Sequence, residues 1–165
     1  MYVRFEQPGD KGQIREVHLQ AFETEAEAHL VDALRDSGVE LISLVAIENE
    51  QVIGHILFSP MQMDAQVRIM GLAPMAVLPP WQRQGVGTQL IEAGLKACEL
   101  AGYGVVVVLG HPSYYPRFGF EPAADFDIKP EYDVPSEVFM LKELKQGALK
   151  GVTGTVKYHP VFAEL

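Results

Sequence analysis

The sequence predicts an α/β fold of mixed type, in which one sheet carries helices on both faces. A strand–helix–strand order occupies the middle of the chain, and a β-hairpin pattern precedes it. Val105–Leu109 has no polar residue, as a strand covered on both faces would have. The 165 residues are about one domain, so residues 1–165 are expected to form a single domain.

The first quarter of the chain predicts a strand and two helices. Met1–Glu6 alternates between apolar and polar residues, as a half-buried strand does. Asp10 is placed to cap a first helix. Thr24–Glu27 is a capping box for a second helix, since the Glu27 side chain could reach back to the Thr24 amide. Gly38 stands where a left-handed residue ends a helix.

The middle of the chain predicts a hairpin, a strand and a helix. Leu41–Ile47 and Gln51–Phe58 are the two arms of the hairpin, and Ser59–Gln66 is left unassigned. Val67–Val77 predicts a strand interrupted by Pro74, whose missing N–H favours a bulge or a broken pairing. Gly85–Ala101 predicts a helix with one apolar face.

The remaining third predicts further extended segments. Their ranges are Val105–Leu109, a short strand beginning at Phe118–Phe120, Glu137–Leu141, and an extended tail over Gly154–Phe162.

Composition limits the partners of the chain. Thirteen Lys and Arg stand against 22 Asp and Glu, a net charge of −9, so neither nucleic acid nor an anionic membrane surface is an expected partner. Cys98 is the single cysteine, no signal peptide is evident, and the uncharged stretch Ile69–Trp81 is too short to span a bilayer, so a cytoplasmic protein is expected. No residues have the spacing of metal ligands, and the sequence leaves a homodimer open.

A glycine-containing loop is the most informative segment. A strand stops at Pro79–Pro80, and a helix then opens at Gly85 and Gly87. Glycines let backbone N–H groups approach an anion, and a helix N-terminus attracts negative charge. Arg83 adds a full positive charge. The alternative is a plain tight turn. A dinucleotide fold is disfavoured because Leu90 stands where a third glycine belongs, and the acid expected to end the next strand is missing.

Two blocks of the sequence resemble the GNAT N-acetyltransferase superfamily. Gln82–Gly87 matches its [Arg/Gln]-x-x-Gly-x-[Gly/Ala] loop, and Tyr115–Phe120 matches its Tyr-x-x-x-Gly-Phe block. The resemblance implies a mostly antiparallel twisted sheet with splayed central strands. It also implies acetyl-CoA as cosubstrate, no metal, and direct attack on the thioester by an amine of a small molecule or peptide.

The resemblance also implies the roles of individual residues. The backbone of Met75 and Val77 would bind the pantetheine arm, and Tyr115 would protonate the departing CoA thiolate. Tyr114 is the alternative if the register is shifted by one residue. The residues implied in cofactor binding are Met75, Ala76, Val77, Gln82, Arg83, Gln84, Gly85, Val86, Gly87, Thr88 and Tyr115.

An amine nucleophile must lose a proton, because a lysine-like amine is almost wholly charged at neutral pH. The candidate bases are Glu48, Glu50, His55, His111 and Glu121. His111 is preferred because it follows the fifth strand near the splay and because imidazole is the common side-chain base at neutral pH. A non-catalytic acyl-CoA-binding or sensing module on the same fold is the alternative function.

Overall fold

The computed structural model of the chain describes residues 1–164 and consists of a sheet with three main helices. The helices are α1 (Lys11–Ala21), α2 (Ala26–Ser37) and α3 (Val86–Leu100). The strands are β1 (Tyr2–Phe5), β2 (Ile42–Glu48), β3 (Gln51–Met63), β4 (Ile69–Val77), β5 (Val105–Leu109), β6 (Glu121–Pro122), β7 (Ile128–Pro130), β8 (Phe139–Glu143) and β9 (Gly154–Lys157). Short 3-10 turns join several of these elements.

The main sheet has the strand order β1-β2-β3-β4-β5-β8-β6. Its neighbouring pairs are antiparallel except β4 and β5, which run parallel because α3 connects them. β9 pairs antiparallel with the end of β3 and parallel with β7. The predicted mixed, mostly antiparallel sheet is therefore confirmed, and the doubly wound parallel sheet of a dinucleotide-binding protein is excluded.

The helices cover both faces of the sheet, as predicted. On one face α3 packs so closely on β3 that a Cβ atom at Gly94 would lie 2.4 Å from the ring of Phe58. On the other face His18 of α1 contacts His55 of β3, and Leu30 and other apolar residues of α2 join a second core cluster. Ile14 of α1 and Leu90 of α3 belong to one apolar cluster and α2 belongs to a second, and the burial of both clusters supplies most of the driving force for folding.

The two central strands separate partway along their length. β4 pairs with β5 at only three positions, from Ile69 with Val105 to Gly71 with Val107. Beyond them β4 pairs only with β3, and β5 pairs only with β8. The β3–β4 register shifts opposite Ala73 and Pro74, which form the bulge that the proline predicts. The expected splay is therefore present, and it opens towards the carboxyl end of β4.

Two predicted helix caps are wrong. The Asp10 carboxylate accepts hydrogen bonds from the Arg4 guanidinium at 2.7 and 3.1 Å and from the Gln7 amide at 2.7 Å, so it makes no cap bond to α1. Arg4 lowers the pKa of the Asp10 carboxyl. The Thr24–Glu27 box does not form either: α2 begins only at Ala26, whose amide donates to the Thr24 hydroxyl at 3.3 Å, and the Glu27 side chain does not bond the Thr24 amide.

The extended segments differ from the prediction in length. β3 continues five residues beyond Phe58 to Met63, where Pro60 is tolerated within its pairing to β4. The strand expected at Phe118–Phe120 is reduced to β6, because a 3-10 turn occupies Tyr115–Phe118 and Gly119 leaves it at φ 91°. The tail forms a strand only over β9 and then a 3-10 turn. Within residues 1–164, no helix has the length and apolarity to cross a membrane.

Candidate active site

A cavity of about 560 Å³, here called the loop cavity, lies between the end of β4 and the start of α3. Arg83 and Arg117 give it two positive charges in a chain that is otherwise acidic. It is lined by Met75, Val77, Trp81, Gln82, Arg83, Gly85, Gly87, Thr88, Tyr114 and Arg117. Seven of the predicted cofactor-binding residues therefore meet in one place.

The N-terminus of α3 forms one wall of the loop cavity. Its N-cap is Gly85 at φ 85°, a left-handed conformation that glycine adopts without strain, and no side chain caps the helix. The first helical hydrogen bond runs from the Gln89 amide to the Gly85 carbonyl at 3.1 Å. The amides of Val86, Gly87 and Thr88 therefore have no acceptor within the helix, as is usual for a first turn. Such a terminus is suited to bind a phosphate group.

The two glutamines of the loop hold its shape. The Gln82 side chain donates to the Val77 carbonyl and the Gln84 side chain donates to the Pro80 carbonyl, each at 2.9 Å. Arg83 between them adopts a left-handed backbone at φ 62°. Of the other predicted cofactor residues, Ala76 and Val86 are buried in the core, so only their backbone could reach a ligand.

A second cavity, of about 360 Å³, lies on the other side of the splay and is here called the aromatic cavity. Met75 lines both cavities. Of the two adjacent tyrosines, Tyr115 lines the aromatic cavity and Tyr114 lines the loop cavity. Its lining is Phe22, Glu27, Leu30, Leu72, Ala73, Pro74, Met75, Val108, Leu109, Tyr115, Tyr132, Tyr158 and Phe162. The two cavities thus approach each other where β4 and β5 have separated.

The Tyr115 ring is held by close packing. Its neighbours are the rings of Tyr114 and Phe120, at centroid distances of 5.2 and 5.6 Å. A Cβ atom at residue 110 would lie 2.4 Å from Tyr115 Cε2, so Gly110 is required for this ring position. Burial, and secondarily the neighbouring Tyr114, raises the pKa of the Tyr115 hydroxyl to about 12. The phenol therefore stays protonated near neutral pH, where it can donate a proton or a hydrogen bond.

Glu27 is one residue at this site that the sequence reasoning missed, and Arg117 of the loop cavity is another. Glu27 lines the aromatic cavity from α2, and its Oε1 atom is buried and accepts no hydrogen bond from any residue that the structure describes. The only sequence signal for Glu27 was an acid in the first turn of a helix, which the capping box seemed to explain.

The five candidate bases have different surroundings in the structure. Glu48 forms an ion pair with the N-terminal amine at 2.7 Å, and Glu50 is exposed in the turn after β2. Glu121 and His111 are also exposed, and neither lines the aromatic cavity. The His111 carbonyl accepts hydrogen bonds from the amides of Tyr114 and Tyr115, so this residue shapes the turn that carries the tyrosines.

His55, the remaining candidate, is completely buried in a hydrogen-bonded chain. Its Nε2 lies 2.8 Å from Ser43 Oγ, which itself donates to Glu6 Oε1 at 2.6 Å. His55 Nε2 must therefore carry the proton, and its Nδ1 accepts from His18 Nε2 at 2.8 Å. Arg35 completes the chain by pairing with Glu6. This arrangement joins α1 and α2 to the sheet and leaves His55 without access to either cavity.

The buried histidines predict a loss of stability in weak acid. Burial lowers the pKa of His18 to about 4, and burial together with His18 lowers the pKa of His55 well below its usual value. Between about pH 4 and 6.5 the unfolded chain therefore binds more protons than the folded chain. The free energy of unfolding keeps its full value above about pH 6.5 and decreases as the pH falls towards 4. From His18 alone, the free energy of unfolding should fall by about 2 kcal/mol between pH 7.5 and 5.

Urea denaturation at the two pH values, followed by circular dichroism, measures this loss. The matched control is His29→Gln, because His29 is an exposed histidine on α2 and its replacement should leave the pH dependence unchanged. The Asp10 carboxyl does not interfere, since its lowered pKa moves its contribution below pH 4. Equal stability at pH 7.5 and 5 would show that the histidines are charged in the folded protein.

The structure thus has an uncapped helix terminus beside a parallel strand pair that separates, and comparisons with known proteins identify the family to which this fold belongs. A family model described as an acetyltransferase (GNAT) domain matches residues 40–122. The uncharacterized N-acetyltransferase YhbS of Escherichia coli K12 is 40% identical over 164 residues, which cover 98% of each chain. The uncharacterized N-acetyltransferase YjhQ of the same organism is 42% identical over 135 residues, 78% of this chain and 74% of that protein.

Two solved structures extend the similarity to the whole fold. The crystal structure of E. coli YhbS in complex with CoA has a TM-score of 0.94 at 40% identity, covering 98% of this chain and 91% of that one. The structure of a GNAT family acetyltransferase from Brucella melitensis in complex with acetyl-CoA has a TM-score of 0.81 at 35% identity, covering 98% and 97%. The chain belongs to the GNAT family of acetyltransferases.

The donor set of the site contains no metal-ligand cluster. Among residues 1–164, no three His, Cys, Asp or Glu side chains lie close enough together to hold a metal ion. Cys98 is buried on α3, and burial raises the pKa of its thiol to about 12, so it is a packing residue and not a nucleophile.

Proposed function

We propose that the chain is an acetyl-CoA-dependent N-acetyltransferase that transfers an acetyl group to a primary amine by direct attack. The observation that carries the proposal is the meeting of the two cavities at Met75, between strands that have separated. One cavity has the charge for a pyrophosphate, and the other has room for an acceptor. This arrangement would bring thioester and amine together, which is the main source of rate enhancement in a two-substrate transfer.

The loop cavity is the proposed site of the CoA pyrophosphate. The free amides at the start of α3 and the guanidinium groups of Arg83 and Arg117 would neutralise its charge. The arm would extend along the β4 edge from Val77 to Met75, where β5 no longer pairs. In this proposal Ala76, Gln84 and Val86 contribute only backbone or loop shape.

Acetyl-CoA would supply an activated thioester at the junction of the cavities. The amine, after losing one proton, attacks the carbonyl carbon, so the N–C bond forms and the C–S bond breaks. The amide nitrogen loses a second proton, and the sulfur takes one. Tyr115 would donate a hydrogen bond to that sulfur, and burial, which raises its pKa to about 12, keeps the phenol protonated for this role. His111 remains the proposed acceptor of the proton from the amine, reached through water because its side chain is exposed.

Calorimetry and a CoA-release assay test this function together. CoA and acetyl-CoA should bind at micromolar concentration and NAD much more weakly, because the loop cavity lacks the ribose-binding acid of a dinucleotide site. The assay, run over amines, peptides and aminoglycosides, should show turnover with at least one amine. Tighter binding of NAD would contradict the proposal. Binding of acetyl-CoA without turnover on any acceptor would favour a sensing module instead.

The setting of the enzyme is part of the same proposal. A single domain over residues 1–165, a cytoplasmic location and the absence of nucleic acid or membrane partners fit the acidic composition and the single cysteine. Whether two copies associate can be measured by light scattering.

A further inference from the structure

The walls of the aromatic cavity combine several aromatic rings with a single carboxylate. Five of its lining residues are aromatic, and Glu27 is its only carboxylate. Three of the rings lie in series: Tyr132 stacks on Tyr158 with centroids 6.2 Å apart, and Phe162 is tilted against Tyr158 with centroids 4.8 Å apart. The faces of such rings attract cations and their bodies bind apolar groups.

Glu27 is half-buried, and its carboxylate has no compensating donor among residues 1–164. Its Oε1 atom is buried without a hydrogen-bond partner among the described residues, and none of the residues lining the cavity is Lys, Arg or His. Burying a carboxylate in this way is costly unless a cation or a donor joins it. A cationic ligand in the cavity would offset this cost, because its positive charge would pair with the negative charge of the Glu27 carboxylate.

We propose that the acceptor is a primary amine on a compact apolar body, of the arylalkylamine or short alkylamine class, and that its ammonium group binds Glu27. This inference rests on the proposed acetyltransferase function and specifies its acceptor. Glu27 contacts the substrate and positions it, while the apolar body packs between the rings of Phe22, Tyr132 and Phe162. The nitrogen then lies on the side of the splay that faces Met75 and Tyr115.

The size and polarity of the cavity favour a compact amine over a sugar-based or peptide amine. Its volume of about 360 Å³ is at the lower end for small-molecule sites, so it suits a compact molecule. A sugar-based amine would bury many hydroxyl groups against apolar walls, and each hydroxyl left without a partner costs free energy. A peptide would in addition bury backbone amides that the lining cannot satisfy.

Steady-state kinetics with phenethylamine and kanamycin test the class of acceptor, and Glu27→Gln tests the anchor. The wild type should turn over phenethylamine with a higher kcat/KM than kanamycin. In Glu27→Gln the KM for phenethylamine should rise about 10-fold or more, the usual cost of losing a charge-assisted hydrogen bond. Its KM for acetyl-CoA should stay close to wild type. Glu23→Gln is the matched control, because Glu23 is exposed and lies outside the cavity.

Two measurements without turnover separate this inference from the proposed function. Calorimetric titration of phenethylamine into the CoA complex should show binding by the wild type and weaker binding by Glu27→Gln. The unfolding temperature of Glu27→Gln should be no lower than that of wild type, because Oε1 has no donor to lose. A lower unfolding temperature, equal binding by both proteins, or preference for kanamycin overturns the inference. Binding of phenethylamine without turnover on any amine overturns the proposed function and leaves the anchor supported.

Discussion

Replacement of Tyr115 by phenylalanine is expected to lower kcat about 100-fold or more, the usual contribution of a general acid. The substitution removes one oxygen and keeps the ring that packs on Tyr114 and Phe120. Its hydroxyl interacts with the sulfur more strongly as negative charge develops there, so the loss falls on the transition state and not on binding. The KM for acetyl-CoA and the unfolding temperature should therefore change little. Stopped-flow measurement of CoA release, at saturating concentrations of both substrates, gives the required rate.

Tyr114→Phe is the matched control for this experiment. The Tyr114 hydroxyl faces the loop cavity, where it would lie 3.2 Å from a Cβ atom at Gly87. Its loss should therefore change the affinity for CoA and leave kcat close to wild type. The opposite pattern, with an unchanged rate in Tyr115→Phe and a slow Tyr114→Phe, would assign proton donation to Tyr114. An unchanged rate in both variants would assign it to water.

Glutamate at position 87 is expected to abolish detectable CoA binding, with an increase in Kd of about 100-fold or more. Gly87 lies in the first turn of α3 and lines the loop cavity. A carboxylate there would occupy the space of the pyrophosphate and pair with Arg83 or Arg117 in its place. The loss of charge-assisted hydrogen bonds from a phosphate, each contributing about 1.5–3 kcal/mol, accounts for an effect of this size.

Calorimetric titration of CoA measures the effect of Gly87→Glu, and circular dichroism checks that the variant is folded. Gln89→Glu carries the same added charge in the same helix, on an exposed side chain outside the cavity. It should bind CoA with nearly wild-type affinity. If folded Gly87→Glu keeps its affinity for CoA, the glycine loop is only a tight turn, and the phosphate groups bind elsewhere.

Features that depend on neighbouring residues in the sequence could be predicted. The start of α3 after Gly85 and the bulge at Pro74 follow from local rules of backbone geometry, since glycine permits a left-handed cap and proline removes a strand donor. The buried strand β5 likewise follows from a run of apolar residues. For these elements, the local preference and the tertiary packing agree.

Features that depend on distant residues could not be predicted. The aromatic cavity brings Phe22, Pro74, Tyr115 and Phe162 together, and no local pattern indicates that they are neighbours. Glu27 matched a capping box, yet the helix begins two residues after Thr24 and directs this acid to the cavity. The same limit applies to His55. Its strand pattern does not indicate that its ring is hydrogen-bonded to His18 and Ser43 in the core.

The short pairing between β4 and β5 has a consequence for the energetics of the whole chain. Only three residue pairs join these strands, so the sheet has an internal seam that a bound pantetheine arm would close. A ligand that binds only the folded state stabilises it by about 2.7 kcal/mol when its free concentration is 100 times its Kd. The folded fraction of this protein would then be linked by mass action to the supply of CoA. In its absence, local opening would begin at the seam, and amide hydrogen exchange there would be faster than in the rest of the sheet.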